Sequence, residues 1–462
     1  LAVQEFRVDT QNFKAEYEQA GSAIISAVTK TGGTGFHGDA IFEWQPKAFV
    51  GRPYFDRPGK ANNRQGLNEK PDYNRKQYGG DLGGPIIPNV LHFYGAFEAT
   101  DQVLPSANVN LLPTRNVGGV NVPNVPQTIV SQFNGSYGQS FEQRLYFGKL
   151  TLFASANDTI NLQTFIRREE NLADYGGTSV PEHGRLLTSN NETYQGEWNH
   201  RGDNWLNELT VAYQKVFNGT PRIGEGPEII LATGPTGSGV DASLDTQAEL
   251  GAAAFQQFDN QKTWTAKNNF TLTGDRHILK AGIRLAFNTY ERSEDFRSNG
   301  TYYFTAPNYT TFDGSTPIAA SVTTVPVRPA TADNDQVGVF IQDDWSPDDH
   351  WTVNLGLRWD YESNAKNENF VTPANIVTAL RNYQPWRAAG IDPEDYISTG
   401  DNRKPYWKAF QPRLGVSYDF NGDRETILFA GAGRYYDRPL FITAGIETVK
   451  ALYQSAPTIR FC

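Results

Sequence analysis

From residue 335 to residue 362 the chain reads DQVGVFIQDDWSPDDHWTVNLGLRWDYE, and its second half alternates strictly. Trp351, Val353, Leu355, Leu357 and Trp359 fall on one side of an extended chain; Thr352, Asn354, Gly356, Arg358 and Asp360 fall on the other. Period two with a single apolar face predicts a strand. A Trp closes each end of that face. At about 3.3 Å per residue and a tilt near 40°, the two rings stand about 20 Å apart along a membrane normal, close to the spacing of the aromatic girdles on a lipid-facing strand. Residues 336–345 form a second strand, joined to the first by the polar turn Ser346-Pro347-Asp348-Asp349.

The same hairpin pattern recurs along the chain. Residues 36–44 read as a first strand. Residues 77–84 and 91–100 flank a turn at 85–90, where both prolines sit outside any central ladder. Further pairs are 143–154 with 159–168, 192–199 with 205–216, 263–273 with 277–291, and 410–420 with 426–436. The short links carry Asn-Asp, Arg-Gly-Asp, Gly-Asp and Asn-Gly-Asp, which tolerate positive φ and reverse the chain tightly. The long links, 45–76, 101–142, 169–191, 217–260, 292–334 and 363–409, are rich in Gly, Pro, Asn, Asp and Thr. Short and long connections alternate without a break. A soluble sandwich has no reason to do this, whereas an outer-membrane barrel has short periplasmic turns and long external loops. The prediction is therefore an all-β chain, an antiparallel transmembrane β-barrel. It has about 13 strands, an odd count where single-chain bacterial barrels are even, so the barrel is expected to be partial.

The alternation also assigns faces. His277, Leu279, Ala281, Ile283, Leu285 and Phe287 should meet lipid; Ile278, Lys280, Gly282, Arg284, Ala286 and Asn288 should face the lumen. Likewise Leu414, Val416, Tyr418 and Phe420 point outward, and Arg413, Gly415, Ser417 and Asp419 inward. A charge on the lipid face costs about 2–4 kcal/mol at the midplane, which explains a common register for the arginines. Arg167, Arg284, Arg358, Arg413 and Arg434 form an expected lumen-facing basic set. They either contact an internal domain or solute path, or pair with Asp and Glu on neighbouring strands and stiffen the wall. Asp343 breaks the alternation of its strand and is expected at the periplasmic rim. Trp205, Trp345, Trp351, Trp359, Tyr213, Tyr361 and Tyr435 sit near strand ends as girdle anchors. Tyr302, Tyr303, Phe304 and Tyr309 lie in a long link with no core to fill; they either stack on a ligand such as a sugar or pack the loops together.

Composition narrows the field. No run of about 18 apolar residues exists, so a transmembrane helix is excluded, but a barrel is not, because its outward residues alternate with polar ones. The net charge of −10 argues against a general nucleic-acid binder. One cysteine, Cys462, excludes an intrachain disulfide and a Cys-rich metal site. The chain has no methionine, begins Leu1-Ala2-Val3 and carries no signal peptide, so it is expected to be part of something longer. Catalytic and cofactor patterns are missing: no HExxH, no GxSxG and no Walker loop. Residues 234–239, GPTGSG, lack the Lys-Ser/Thr of a phosphate cradle and read as a loop. The pairs Asp343-Asp344 and Asp348-Asp349 read as solvated turns rather than Ca²⁺ ligands. No enzyme activity, cofactor or metal is expected.

Two stretches add a family. EFRVDTQNFKAEYEQAGSAIISAVTKTGGTGFHGD at residues 5–39 and QYGGDLGGPIIPNVLHFYGAFEATDQ at 77–102 resemble TonB-dependent outer-membrane receptors, specifically the large Oar-like branch, as does FQPRLGVSYDF with GAGRYYDRP near the C-terminus. Glu18 departs from the family's usual Gly, and Ser22-Ala23 from a Gly-Gly pair, which bears on local turn geometry. The resemblance implies that residues 1–35 are the C-terminal end of a plug domain and 36–462 the N-terminal part of a barrel of about 22 strands with long extracellular loops. It also implies active uptake of a scarce or bulky solute, carbohydrate or peptide-like. The implied partners are TonB with ExbB–ExbD, reached through an upstream segment, outer-membrane lipid and a small or oligomeric solute. The alternatives are a passive porin or structural, adhesive barrel, and a secreted β-sandwich adhesin.

Overall fold

The computed structural model describes residues 1–9, 14–18, 23–52, 54, 57–59, 70, 72–233, 245–305, 317–438 and 440–461. The strands, in chain order, are β1 (Val3–Asp9), β2 (Ile24–Thr29), β3 (Ala40–Pro46), β4 (Asn74–Ile87), β5 (Leu91–Val109), β6 (Thr114–Val117), β7 (Val120–Pro123), β8 (Gly135–Phe153), β9 (Asp158–Ala173), β10 (Arg185–Arg201) and β11 (Trp205–Gly219). They continue with β12 (Glu228–Thr233), β13 (Asp245–Gly251), β14 (Phe255–Thr273), β15 (His277–Phe296), β16 (Thr301–Thr305), β17 (Ala319–Ser321), β18 (Ala330–Trp345), β19 (Trp351–Glu362), β20 (Ala409–Asp419), β21 (Ile427–Gly433) and β22 (Thr458–Arg460). Helices are α1 (Gln127–Phe133), α2 (Ala374–Asn382), α3 (Gln384–Ala388) and α4 (Ile442–Leu452).

Thirteen strands form one sheet in the order β21-β20-β19-β18-β15-β14-β11-β10-β9-β8-β5-β4-β3, and each pairs antiparallel with its neighbour in the chain's own sequence of hairpins. Side chains hold the tight turns. The Asp419 carboxylate accepts from the backbone N–H of Asn421, Gly422 and Arg424, and Gly422 and Arg424 take positive φ. Asp348 accepts from the N–H of His350 and Trp351, and those bonds, Trp351's first, hold its carboxyl below its ordinary value. Asp343 and Asp344 correct the expectation of a solvated turn: they lie at the end of β18, where Asp343 meets the His277 ring (2.9 Å) and Asp344 accepts from Lys14 of the distant N-terminal segment (2.7 Å).

The strands run further than alternation alone shows. β8 begins at Gly135 rather than 143, β10 at Arg185 rather than 192, and β14 at Phe255 rather than 263. Each extension is at the long-link end, where polar residues occupy both faces and the alternation fades. Pro85 corrects a further expectation. It lies inside β4, not in the turn, at a bulge before Ile87 and past Gly80, where the β3 ladder ends. That position has no β3 partner awaiting a proline N–H.

The long links are folded. β13-β12-β16-β17-β22 form a separate sheet, and β6-β7 a small hairpin. Val109, Leu111, Val125, Ile129, Val130, Val180, Leu231, Ala248, Leu250 and Phe304 make a shared apolar core there. The hairpin β1-β2 stands apart from the large sheet.

Candidate functional site

Side chains on one face of the large sheet converge on the N-terminal segment. At residues 14–18 the contacts come from β15, β18, β19 and β20. Lys280 Nζ donates to both Glu16 oxygens (3.1 and 3.2 Å), and Gln342 Oε1 accepts from the backbone N–H of Ala15 (3.0 Å). Arg358 Nη1 donates to the carbonyl of Ala15 (3.3 Å); Arg413 Nη1 donates to the carbonyls of Lys14 and Tyr17, the latter at 2.9 Å. Ala15 is 1% exposed, and a Cβ on Gly356 would lie 2.7 Å from its Cβ, so the close approach needs a glycine. Burial, with help from Glu16, pushes the Tyr17 phenol up.

Glu18 is the charge centre of this seat. Its carboxylate meets Arg284 Nε at 2.9 Å, Arg358 Nη2 at 3.2 Å and Arg438 Nη2 at 3.5 Å. Asp360 takes two bonds from Arg358 (2.7 and 2.9 Å), and the Tyr435 ring lies 4.7 Å from the Arg413 guanidinium. Buried guanidiniums need such partners, because an unpaired buried charge is strongly destabilising.

The opposite end of the sheet holds the same segment. Tyr94 Oη donates to the carbonyl of Leu1 (3.2 Å). Lys30 lies 3.8 Å from Asp81, Lys149 Nζ donates to Thr29 Oγ1 (3.0 Å), and Thr29 Oγ1 donates to Gln163 (3.2 Å). A Cβ on Gly32 would fall 2.3 Å from the Phe93 carbonyl oxygen. β20 and β4 are second from opposite edges of the sheet. Laid flat, they would stand about 48 Å apart at about 4.8 Å per strand. Lys14 and Tyr17 touch β20 and Lys30 and Gly32 approach β4, because the sheet curves around this segment.

The five arginines separate. Arg284, Arg358 and Arg413 meet at residues 14–18. Arg167 pairs with Glu169 on its own strand, away from the seat. Arg434 corrects the expectation of a common face. Arg413 pairs in register with Gly433, so the next residue points to the other side. There Arg434 is exposed and lines an outer depression with Leu355, Leu357 and Leu414. The loop aromatics are corrected too. Tyr303 and Phe304 are 2% and 3% exposed in β16, and Phe304 belongs to the apolar core, so neither ring has a face for a ligand. Tyr302 is exposed. Tyr309, and the glycine-rich residues 234–239, lie outside the described residues. Sequence reasoning missed Lys14, Glu16 and Arg438. Glu18 was visible as a carboxylate in place of a glycine, which signals a charge partner rather than a turn.

The outward row agrees with the alternation. Trp351, Leu355 and Leu357 are exposed, and Arg358, the next residue after Leu357 and on the other face, is buried. Trp345 and Trp351 stand at the short-turn end, while Trp359 stacks on Trp407 and Tyr361 on Trp407 toward the other.

Comparison with known proteins adds three findings. The family described as outer membrane beta barrel domain matches residues 28–140 and 118–458. The TonB-dependent transporter Oar of Myxococcus xanthus is 22% identical over 94% of this chain and 44% of its own length. Among solved structures, the outer membrane transporter YddB of Escherichia coli superposes with a TM-score of 0.63 at 11% identity over 100% of this chain and 50% of that one. The ferric enterobactin receptor PfeA of Pseudomonas aeruginosa gives 0.55 at 13% identity, over 99% and 53%. The chain spans about half the length of these relatives.

Proposed function

The chain belongs to the outer membrane beta barrel domain family of the bacterial outer membrane, and from that premise we propose that it is part of a TonB-dependent transporter. In this reading residues 1–35 are the end of the plug and 36–462 the first part of the barrel wall. The carrying observation is the seat: Arg284, Arg358 and Arg413 hold residues 14–18 inside the curved sheet through Glu18 and three backbone carbonyls. A segment held by many directional bonds blocks passage until it is pulled away. TonB, driven by ExbB–ExbD, supplies that pull from the periplasmic side through an upstream segment. The external loops capture a scarce or bulky solute of carbohydrate or peptide-like class, with Tyr302 available to stack on it. A passive or adhesive barrel gains nothing from such a seat.

The test is uptake by cells carrying the full-length protein, with and without TonB, on oligosaccharides, peptides and a ferric siderophore as sole limiting nutrient. TonB-dependent uptake of one class supports the reading and names the solute. Equal uptake without TonB removes it.

A further inference from the structure

On the outer face of the sheet, away from both edges, the register Gly148↔Thr164↔Tyr194↔Tyr213↔Trp264 runs across five strands. Its first positions are small and its last are broad rings. Gly148 and Gly196 floor a groove of about 610 Å³ whose walls include Leu150, Leu162, Val211 and Trp264. Cβ atoms built on the two glycines would meet Thr164 and Leu162 at 3.4 and 3.5 Å, ordinary contact, so the glycines are not required by packing within the wall. They keep the groove open. Trp264 is 55% exposed and Leu162 54%.

Two residues further toward the long-link end, Glu192, Lys215 and Lys262 are cross-strand neighbours on the same face. Glu192 is engaged by Arg168. Lys215 and Lys262 are directly opposite each other, both are exposed, and neither has an ion-pair partner among the described residues. Like charges opposite one another are unfavourable unless an anion lies between them. Aromatic rings one row below are the feature that marks the headgroup level of a bilayer.

We propose that this is a binding site for a phosphate-bearing lipid of the outer leaflet, with one acyl chain in the glycine-floored groove and its phosphate between Lys215 and Lys262. The tail alone gains little by leaving other tails, since both surroundings are apolar. Preference comes from the fit of the chain together with the two cations. The proposal rests on the membrane placement and is independent of the uptake reading.

The experiment uses the full-length protein in detergent, mixed with equal amounts of phosphatidic acid and phosphatidylcholine of identical chains; retained lipid is counted by native mass spectrometry. Each lysine near anionic lipid is worth about a fivefold preference. The wild type should favour phosphatidic acid, and the Lys215→Ala/Lys262→Ala variant should lose about thirtyfold of that preference, at unchanged fold by circular dichroism. Gly196→Leu should lower retention of both lipids by filling the groove, and glycerol phosphate without chains should not bind. Equal retention of both lipids by the wild type overturns the proposal. So does a preference that survives the double lysine variant, retention unaltered by Gly196→Leu, or a protein partner occupying this face.

Discussion

At the scale of single residues, the seat turns on one carboxylate and one missing side chain. Glu18 faces three guanidiniums, of which Arg358 is 2% exposed. Glu18→Ala leaves those charges to one another and to Asp360. Breaking a buried pair costs about 3–5 kcal/mol; Glu18 is partly exposed, so a loss of about 1–3 kcal/mol is expected. It should be read as faster hydrogen exchange at residues 14–18 and greater passive entry of small sugars. Unchanged exchange would show that the backbone bonds from Arg413 suffice. Gly356→Val tests the same contact without charge. Its Cβ would overlap Ala15, an overpacking cost of about 1–3 kcal/mol, and residues 14–18 should again exchange faster while the surrounding ladder is unaffected.

At the scale of elements, the external links differ most from a reading of loops. Phe304 and Tyr302 are two residues apart on β16, but only Phe304 enters the core. Phe304→Ala should destabilise the small sheet by about 3–5 kcal/mol, seen as early proteolysis between β11 and β14; Tyr302→Ala should leave that cleavage unchanged. Helix α4 is tied in similarly. Glu447 receives two bonds from Arg403 (2.7 Å each) and one from Asn367 (2.9 Å). Burial pushes the Glu447 carboxyl up, but those bonds and the Arg403 charge outweigh it and hold it below its ordinary 4.5. A depressed acid stabilises fully above its unfolded value and loses that contribution as pH falls through the lower folded one. Exchange across residues 442–452 should therefore be protected at neutral pH and rise on acidification below about 4.5, and Arg403→Gln should abolish the pH dependence. A pH profile shared by both proteins would remove Glu447 from the account.

At the scale of the molecule, thirteen strands make a wall whose outermost members, β21 and β3, each lack a second neighbour among the described residues. A bare edge is not tolerated in lipid, where each unsatisfied backbone group costs several kcal/mol. Those edges must pair, with further strands of a longer chain or with other copies. The 462 residues alone, refolded in micelles, should associate through the edges and run as mixed oligomers; a longer chain that supplies the missing strands should run as a single compact species. A stable monomer of the 462 residues would mean that β3 and β21 meet. Either way the curvature depends on the inside as much as the wall, because residues 14–18 touch strands near one edge and residues 30–32 strands near the other.

The alternation of residues such as Trp351, Leu355 and Leu357 with Arg358 determined which segments are strands, which side meets lipid and where the short turns lie. It did so because a half-buried strand carries its environment in every second residue, and each turn is local. The strand ends at the long-link side escaped it, since polar residues on both faces leave no alternation. So did the folded links, whose core joins Val109, Leu250 and Phe304 from distant segments. Arg434 was misplaced because register is settled between strands, not along one. Which arginines meet Glu18 was decided only when the sheet curved, because that brings residues hundreds of positions apart within hydrogen-bond reach.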